Sequence, residues 1–367
     1  MINLSFFPSR RLAFYMVKLF LTRSFAVLFA LILVLETLDL LGEAGKILAV
    51  PGNGDAALWH YVVLRIPLLV SRFLPFSVLL GTLIAFVGLN QNSEVVAMKA
   101  AGLSAHQILA PLIVASVGIA AVLFAFNEGV VVNSARHVNA WSDNDYKPIP
   151  PTSGILSNVW LLQGDDLVRA GIVSGRGPAM VLHQVSIYDR TGGVLQRVTN
   201  ADRAIPDPAG RGWLLQQART YDASMDVVRS SAEMKALIGV RPEQFTLAKV
   251  DPTVLDYWTL KKRIGQLEAA GRPTDEARAG LAHKISSPLS TLLMPLLAAI
   301  AAFGLARSGQ LMLRASLGMA LGFAYFVADN FSLAMGNAGA YPPLVAAWAP
   351  FLLFLLIGET VLVRSEE

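Results

Sequence analysis

The sequence has no cysteine among its 367 residues, and only 15% of its residues are charged. The absence of cysteine excludes disulfide scaffolds, thiolate metal sites, thiol nucleophiles and covalent haem attachment. Ordinary soluble domains carry about 25% charged residues, so this low charge argues against a typical soluble enzyme. The net charge of +4 is small and dispersed, which gives no basis for a nucleic-acid surface.

Familiar catalytic and nucleotide-binding motifs are missing as well. The sequence contains no phosphate-binding loop, no zinc-protease motif and no nucleophile elbow, and its five histidines form no cluster with ligand spacing. The glycine-rich segment 171–177 lies among short strand-like runs, which favours a turn over a nucleotide cradle. We therefore predict no catalytic residue, no metal site and no cofactor bound by this chain.

Long apolar segments dominate the two ends of the chain. A helix needs about 20 apolar residues to cross the hydrocarbon core of a bilayer, and six segments meet or approach that length. These segments are Phe25–Leu41, Phe73–Leu89, Gln107–Phe126, Ile285–Ala306, Ala315–Met335 and Tyr341–Val363. The first is too long, and too rich in cations at its start, for a cleavable signal peptide. We predict a membrane α-helical bundle of six transmembrane helices.

The middle of the chain has a different composition, because residues 128–281 contain 35 of the 56 charged residues. Short alternating apolar runs separated by turn residues occur here, which is typical of an antiparallel β-sandwich or jelly roll. The runs are Trp160–Gln163, Leu167–Ala170, Met180–Tyr188, Val194–Thr199, Trp213–Thr220 and Ser231–Ala236. We predict an all-β jelly-roll domain at 128–254. It would be inserted between the first three spans (1–127) and an amphipathic connector helix followed by the last three spans (255–367).

The distribution of cations indicates how the spans are oriented. Short cytoplasmic segments of membrane proteins carry an excess of Lys and Arg. With the N-terminus in the cytoplasm, the inner segments carry Arg10, Arg11, Lys18, Arg23, Lys99, Arg307, Arg314 and Arg364. The outer loops carry Lys46 and, at most, Arg65 and Arg72 in addition. We predict that both termini are cytoplasmic and that the β domain lies on the outer side.

The inner connection between the second and third spans predicts a short helix at about 92–103. Ser93 or Asn92 can cap this helix, Glu94 suits its positive N-terminal end, and Gly102 can end it. One apolar face of the helix consists of Val95, Met98 and, at its end, Leu103. Such a rod lying flat at the inner surface suits a mechanical contact with a cytoplasmic partner. A plain interfacial turn is the alternative on composition alone.

Several separate motifs, in this order along the chain, resemble one known family. Ser93–Ser104 is similar to the coupling segment of the lipopolysaccharide-export permeases of the LptF/LptG family, and Leu281–Leu289 is similar to that family's entry into its fourth span. Gly322–Asn330 and Gly339–Pro350 resemble its last two spans. The order of three spans, an outer β domain and three spans covers the whole chain. The residues of these motifs resemble those of the LptG branch more than those of the LptF branch.

The resemblance implies that the chain is one permease subunit of an ATP-driven ABC transporter. Relatives in that family extract lipopolysaccharide from the bacterial inner membrane and pass it through a periplasmic jelly roll to a periplasmic bridge, LptA. The implied partners are a paralogous permease, LptF, two copies of a cytoplasmic ATPase, LptB, which uses ATP and Mg²⁺, and the single-span protein LptC. The residues implied to dock in a groove of the ATPase are Glu94, Val95, Met98 and Lys99. A structural envelope protein without transport activity is the alternative.

Substrate contacts follow from the resemblance less directly. Spans one and five would line the transport cavity, and the contact candidates are Phe25, Phe29, Lys46, Lys284 and Phe326. Lys284 is equally well explained as an interfacial lysine that extends its amine towards water. Polar side chains inside a span are costly and usually functional, so we expect Asp329 and Asn330 to face the cavity or another helix.

An acidic stripe near the outer end of the first span departs from the family pattern. Glu36, Asp39 and Glu43 share one helical face, in a region where cations of the family are thought to meet lipid phosphates or acidic sugars. Because intramembrane charges tend to pair, Arg65 and Arg72 on the second span are candidate partners. Contact with the lipid headgroup through divalent cations or the partner subunit is the alternative.

Overall fold

A computed structural model describes residues 8–148, 156–175, 177–207, 212–222, 227–242, 244–245, 250–269, 272–303 and 311–364. The chain forms two compact units. The first comprises Met1–Asp39, Ile66–Val132 and Leu255–Glu367, and the second comprises Leu40–Arg65 and Asn133–Val254. Arg307, one of the cations counted in the orientation prediction, lies outside the described residues, as does the side chain of Arg314.

The helices belong mostly to the first unit, except for the segments 40–48, 55–65 and 133–143, which belong to the second. In chain order the main helices are α1 (Arg10–Leu48), α2 (Asp55–Gln91), α3 (Glu94–Ala100), α4 (Ala105–Phe126), α5 (Val132–Asp143), α6 (Tyr257–Ala269), α7 (Asp275–Phe303), α8 (Leu311–Asn337) and α9 (Pro343–Arg364). A π-helical turn, Asn127–Val131, joins α4 to α5. The predicted connector helix corresponds to α6, whose buried face consists of Leu260, Ile264 and Leu267. Their spacing is that of an amphipathic helix.

Within the described residues, five stretches are long and apolar enough to cross a membrane. They are Arg10–Leu48, Asp55–Gln91, Ala105–Asp143, Ser316–Asn337 and Pro343–Arg364. These stretches contain the first, second and third predicted spans and nearly all of the fifth and the sixth. The predicted fourth span falls in α7, but its apolar run continues in the sequence to Ala306, past the end of the described segment. A sixth crossing therefore stays a prediction.

Helix α7 lies at the centre of the helical unit, in contact with α4, α8 and α9. Its buried residues Leu293, Leu296 and Leu297 join the main apolar cluster of that unit. The same helix buries the hydroxyl of Thr291, which donates to the carbonyl of Pro288 at 2.8 Å. A helix surrounded by protein can carry such hydroxyl groups because neighbouring backbone carbonyls satisfy them. This explains why α7 is less uniformly apolar than a helix that faces lipid.

Helices α1 and α2 approach each other so closely at Gly81 that a side chain does not fit there. A Cβ atom at Gly81 would lie 2.4 Å from the Cα atom of Ser24 and 2.5 Å from its nitrogen. Gly88, about two turns further along α2, has no atom within 4 Å of its Cβ position. Small residues at helix crossings allow backbones to pack directly against each other in membranes.

Gly81→Ala is expected to lower the free energy of unfolding by about 1–3 kcal/mol, since the backbone of α1 cannot move aside as a flexible side chain would. Gly88→Ala, the matched control on the same helix, should be neutral or stabilising by up to about 1 kcal/mol. Thermal unfolding of both variants in one detergent measures the difference. Equal stability of the two variants would contradict the close approach of α1 and α2.

The second unit contains a six-stranded antiparallel sheet. Its strands are β1 (Leu156–Gln163), β2 (Asp166–Ser174), β3 (Val181–Thr191), β4 (Val194–Pro206), β5 (Trp213–Asp222) and β6 (Val227–Ala236). Each strand pairs with its neighbour in chain order, so the sheet is a meander. Every predicted strand run overlaps one of these strands, which confirms the β domain. The strand crossings that define a jelly roll are not among the pairings of the described strands, and that topology stays a prediction.

The segment Asp189–Gly193 predicts a hairpin between two strand runs, and the turn between β3 and β4 confirms it. Thr191 pairs with Val194, so the loop has two residues, Gly192 and Gly193. Both glycines have positive φ, 60° and 80°. Two consecutive residues with positive φ form the turn whose twist matches that of a hairpin, and glycine adopts this conformation without a steric penalty.

The sheet packs one face over a core centred on Trp213, which is fully buried. Its indole Nε1 donates to the carbonyl oxygen of Val240 at 3.0 Å. The indole also meets the ring of Phe245 edge-on, with ring centroids 5.2 Å apart. Buried tryptophans usually need such a partner for their single polar atom. Trp213, the first residue of β5, thus connects the sheet to the segment that follows β6.

Candidate functional site

The short helix α3 is bounded by two residues in the left-handed conformation. Ser93 precedes it with φ 59° and Gly102 follows its C-cap with φ 85°. At the C-terminal end the amide of Leu103 donates to the carbonyl of Met98 at 3.2 Å, and that of Gly102 donates to Lys99 at 2.9 Å. This pair of backbone hydrogen bonds defines the Schellman motif. The prediction that Gly102 ends the helix is confirmed.

The predicted side-chain cap at the start of α3 is wrong. Ser93 occupies the N-cap position, but its side chain makes no capping hydrogen bond. A capping side chain reaches the amides of the first turn from an extended backbone, and Ser93 is left-handed instead. The amide of Ser93 is used by the preceding helix, since it donates to the carbonyl of Asn90 at 3.0 Å. The tight link between α2 and α3 therefore determines the conformation of Ser93.

A capping box that sequence reasoning missed begins helix α4. The Ser104 hydroxyl accepts a hydrogen bond from the amide of Gln107 at 3.1 Å. The Gln107 side-chain oxygen accepts one from the amide of Ser104 at 3.0 Å. The signal was present in the sequence, because Ser-x-x-Gln before an apolar run is a known helix-start pattern. As a result, α3 and α4 are separated only by the short turn 101–104.

The apolar face of α3 is packed into its own chain. Val95 is 3% exposed and Met98 is 8% exposed, and both belong to the main apolar cluster of the helical unit. The prediction that these two residues share one face is confirmed. A partner on this surface would meet Val96 instead, which is 57% exposed. In this conformation Val95 and Met98 hold α3 against the apolar cluster. Their predicted contact with an ATPase would require α3 to move away from that cluster.

Glu94 and Lys99 lie at the two ends of α3 and are both half-buried. The hydroxyl of Tyr15, on α1, donates to the carboxylate of Glu94, with oxygen distances of 3.1 and 3.3 Å. A carboxylate at the first position and an ammonium group in the last turn both suit the helix dipole. Tyr15 was not predicted from the sequence, since no local pattern connects residues 79 positions apart. The predicted docking role of Glu94 and Lys99 stays a prediction.

Lys284 forms an ion pair in the structure rather than standing free at the membrane surface. Its Nζ lies 2.9 Å from Oε1 of Glu128, and the two side chains are 13% and 17% exposed. Glu128 lies in the π-helical turn and also accepts a hydrogen bond from the backbone amide of Tyr257 at the start of α6. π-helical turns within helices occur frequently at functional sites. A headgroup contact of Lys284 would have to compete with Glu128.

A second polar pair joins α7 to α8 inside the helical unit. Nε2 of His283 lies 3.0 Å from Oδ2 of Asp329, and both side chains are largely buried. The expectation that Asp329 faces another helix is confirmed. Asn330 is exposed, and its side-chain nitrogen donates to the carbonyl of Phe326 in its own helix at 2.8 Å. Asp329 and Asn330 thus each place a polar atom on a protein partner, as the apolar environment of a span favours.

The aromatic contact candidates lie on exposed apolar stripes. Phe25 and Phe29 of α1 are both exposed, whereas Phe326 of α8 is half-buried. Two further exposed phenylalanines, Phe323 and Phe331, lie on α8 two helical turns apart. Their spacing places them on one face of that helix. Sequence reasoning missed this pair, although the spacing of eight was visible. A role in substrate contact stays a prediction for Phe25, Phe29 and Phe326.

The basic residues predicted near the acidic stripe differ in their surroundings. Lys46 is exposed and pairs with Glu43 at 2.9 Å, and Glu43 also accepts a hydrogen bond from the hydroxyl of Tyr146 at 2.7 Å. Arg72 is exposed and forms no hydrogen bond or ion pair within the described part of the chain. Its predicted pairing with the stripe is therefore not observed. Arg65 is half-buried, and its pairing with the stripe stays a prediction.

The remaining members of the stripe lie in the helical unit. Glu36 is buried and Asp39 is half-buried, although both belong to the long helix α1. A buried carboxylate in a membrane-spanning helix is costly and therefore usually functional or paired. For Glu36 and Asp39, pairing with cations of the second span and contact with the lipid headgroup both stay predictions.

The comparisons with known proteins agree with a chain of apolar helices and a β-sheet domain. The family model described as "Lipopolysaccharide export system permease LptF/LptG" matches residues 14–364. The lipopolysaccharide export system permease protein LptG of Escherichia coli strain K12 is 26% identical over 340 residues, which cover 90% of this chain and 91% of the relative. The protein of the same name from Haemophilus influenzae is 24% identical over 325 residues, or 86% and 89% of the two chains. The chain belongs to the LptF/LptG family of lipopolysaccharide export permeases.

Proposed function

We propose that this chain is the LptG-type permease subunit of an ATP-driven transporter that extracts lipopolysaccharide from the bacterial inner membrane. It would pair with an LptF subunit and two copies of the ATPase LptB, with LptC beside it and LptA receiving the lipid. Both termini would be cytoplasmic and the six-stranded sheet periplasmic. The chain itself would hydrolyse no ATP. The family membership and the apolar helices support this proposal.

The single observation that carries the coupling role is the way in which α3 is bounded and packed against the rest of the chain. Its two ends are held by the left-handed Ser93 and by the Schellman motif at Gly102, and its inner face is anchored by Val95 and Met98. A displacement of such a rod is passed on to the helices that it contacts instead of being absorbed by a loop. The Glu94–Tyr15 hydrogen bond extends this connection to α1. α3 is therefore suited to transmit the movement of an ATPase to the membrane helices.

The proposed path of the lipid follows the exposed apolar stripes of α1 and α8. Phe25 and Phe29 project from α1, and Phe323 and Phe331 project from α8. Within the spans these large side chains face lipid or a partner subunit, since the described residues do not cover them. Acyl chains can enter along such a surface without exposure to water. We assign these two faces to the lateral opening, together with LptF and LptC.

Glu94→Ala tests the coupling role. The variant should bind the ATPase at least about tenfold more weakly, because a hydrogen bond to a charged group contributes about 1.5–3 kcal/mol. Asp55→Ala is the matched control: it also removes an acidic residue from the first turn of a helix, at the predicted outer end of α2. Co-purification with the ATPase, and lipid release per ATP hydrolysed, measure the effect. Intact and fully coupled complexes of the Glu94 variant would rule out the docking role.

A further inference from the structure

A cavity of about 650 Å³ lies where α6 and the first turns of α7 and α9 meet. Helix α6 contributes Lys261, Gly265 and Glu268 on a face adjacent to its buried stripe. Gly265 leaves the wall open, since no atom lies within 4 Å of its Cβ position. The volume falls in the range of sites for small ligands. None of the residues assigned to coupling, or to the exposed stripes of α1 and α8, lines this cavity.

The lining of the cavity separates polar from apolar groups along the helices. On α7 the lining residues Arg278, Leu281 and Ile285 recur at helical spacing, so the charged group and the last apolar side chain are about 10 Å apart along the axis. On α9 the lining passes from the start of the helix to Leu344 and Trp348. One end of the cavity is therefore charged and the other is apolar. A ligand that fits both ends must be an amphiphile.

Among the described residues that line the cavity, one cation has no partner. Arg278 is already bound by Glu268, with Nη2 and Nε at 2.7 and 3.1 Å from the same carboxylate oxygen. Lys261 is exposed and forms no hydrogen bond or ion pair within the described residues. The cavity therefore offers one free positive charge, which suits a ligand with one anionic group.

The aromatic residues around the cavity are those typical of a membrane surface. Tyr257 and Trp348 line it, and the neighbouring side chains of Trp258 and Tyr341 are exposed. Tryptophan and tyrosine are enriched at the level of lipid headgroups, where one end of the ring is apolar and the other is hydrated. Under the proposed topology, this is the outer surface of the inner membrane.

We propose that this cavity binds a glycerophospholipid of the outer leaflet, with its phosphodiester on Lys261 and an acyl chain along Ile285, Leu344 and Trp348. The single free cation matches one phosphodiester charge. The cavity holds a headgroup and the upper part of one chain, which is too little room for a glycolipid with several acyl chains. The bound lipid would hold α6 against the ends of α7 and α9. Only the assignment to the outer leaflet rests on the proposed function.

Lys261→Ala tests the site, with Lys262→Ala as the matched control. Lys262 has the same charge and exposure on the same helix but does not line the cavity. The full chain is purified in mixed micelles containing phosphatidylglycerol, and the lipid that remains after washing is measured by native mass spectrometry. Lys261→Ala should retain about tenfold less phosphatidylglycerol than the wild type, since a charged hydrogen bond is lost, whereas Lys262→Ala should match the wild type.

Three results would overturn the proposal. One is equal retention by the Lys261 and Lys262 variants. Another is unchanged retention in Trp348→Leu, a second variant that removes the aromatic wall and keeps an apolar side chain. The third is retention of lipopolysaccharide in preference to phosphatidylglycerol with the same dependence on Lys261, which would assign the cavity to the transported lipid. Because binding in micelles needs neither the ATPase nor transport, failure of the proposed function would leave this measurement unaffected.

Discussion

Replacing Lys284 with methionine is expected to lower the free energy of unfolding of the helical unit by about 3–5 kcal/mol. The substitution keeps the length and the apolar stem of the side chain but removes the charge that lies 2.9 Å from Glu128. The carboxylate then remains largely buried without its cation, and this uncompensated charge is the main cost. Denaturant or thermal unfolding in detergent micelles, followed by circular dichroism of the helices, measures the loss.

Two controls separate the buried pair from ordinary charge effects. Adding Glu128→Gln to the Lys284 variant should restore most of the stability, because glutamine keeps an oxygen that can accept the amide hydrogen of Tyr257. Lys46→Met removes an exposed partner of an ion pair and should cost at most about 1 kcal/mol. A Lys284 variant no less stable than the Lys46 variant would show that Glu128 is not enclosed.

Trp213→Ala is expected to destabilise the sheet by about 3–5 kcal/mol. The indole is fully buried, and its removal would leave a large cavity beside Phe245. The carbonyl of Val240 would also lose its donor, which adds the cost of an unsatisfied buried group. Hydrogen exchange of the strand amides in the full-length protein reports on the sheet separately from the membrane helices.

Trp160 provides the matched control for this effect. It lies on the edge strand β1, is exposed, and stacks on Tyr188 with ring centroids 5.9 Å apart. Trp160→Ala should therefore cost only about 0.5–1.5 kcal/mol, the usual value of an aromatic pair, with little loss of burial. If both tryptophan variants accelerate exchange of the strand amides equally, the core is not centred on Trp213.

Local patterns in the sequence were sufficient for elements whose shape depends on a few neighbouring residues. Gly192 and Gly193 predicted a hairpin because glycine adopts two consecutive positive φ angles without a steric penalty. Gly102 predicted the end of α3 for the same steric reason. The strands were found through alternation, and five of the spans through the length of their apolar runs. Each of these signals is contained within about 20 residues of the chain.

The candidate site was harder to predict because its contacts connect distant parts of the chain. The sequence showed Lys284 and Lys46 as cations near a membrane surface, but only the partner of Lys46, Glu43, lies close in sequence; Glu128 lies 156 positions from Lys284. An ion pair makes a lysine less available to other ligands, and the residues next to that lysine in the sequence do not reveal the pair. For Val95, the helical period predicted an apolar face correctly. The packing of α2 and α4 decides whether this face contacts a partner or the core of the chain itself. No single segment of the sequence encodes that packing.

The chain-order pairing of the strands has a consequence for how the protein is made. Each strand of the meander needs only its immediate predecessor, so every hairpin can close as soon as its second strand has been synthesised and released. Such short loop closures are fast compared with the pairing of segments far apart in sequence. The sheet can therefore be complete before α7, α8 and α9 are synthesised. A truncation or folding defect in the last three helices should leave a correctly assembled sheet on an unfinished membrane protein.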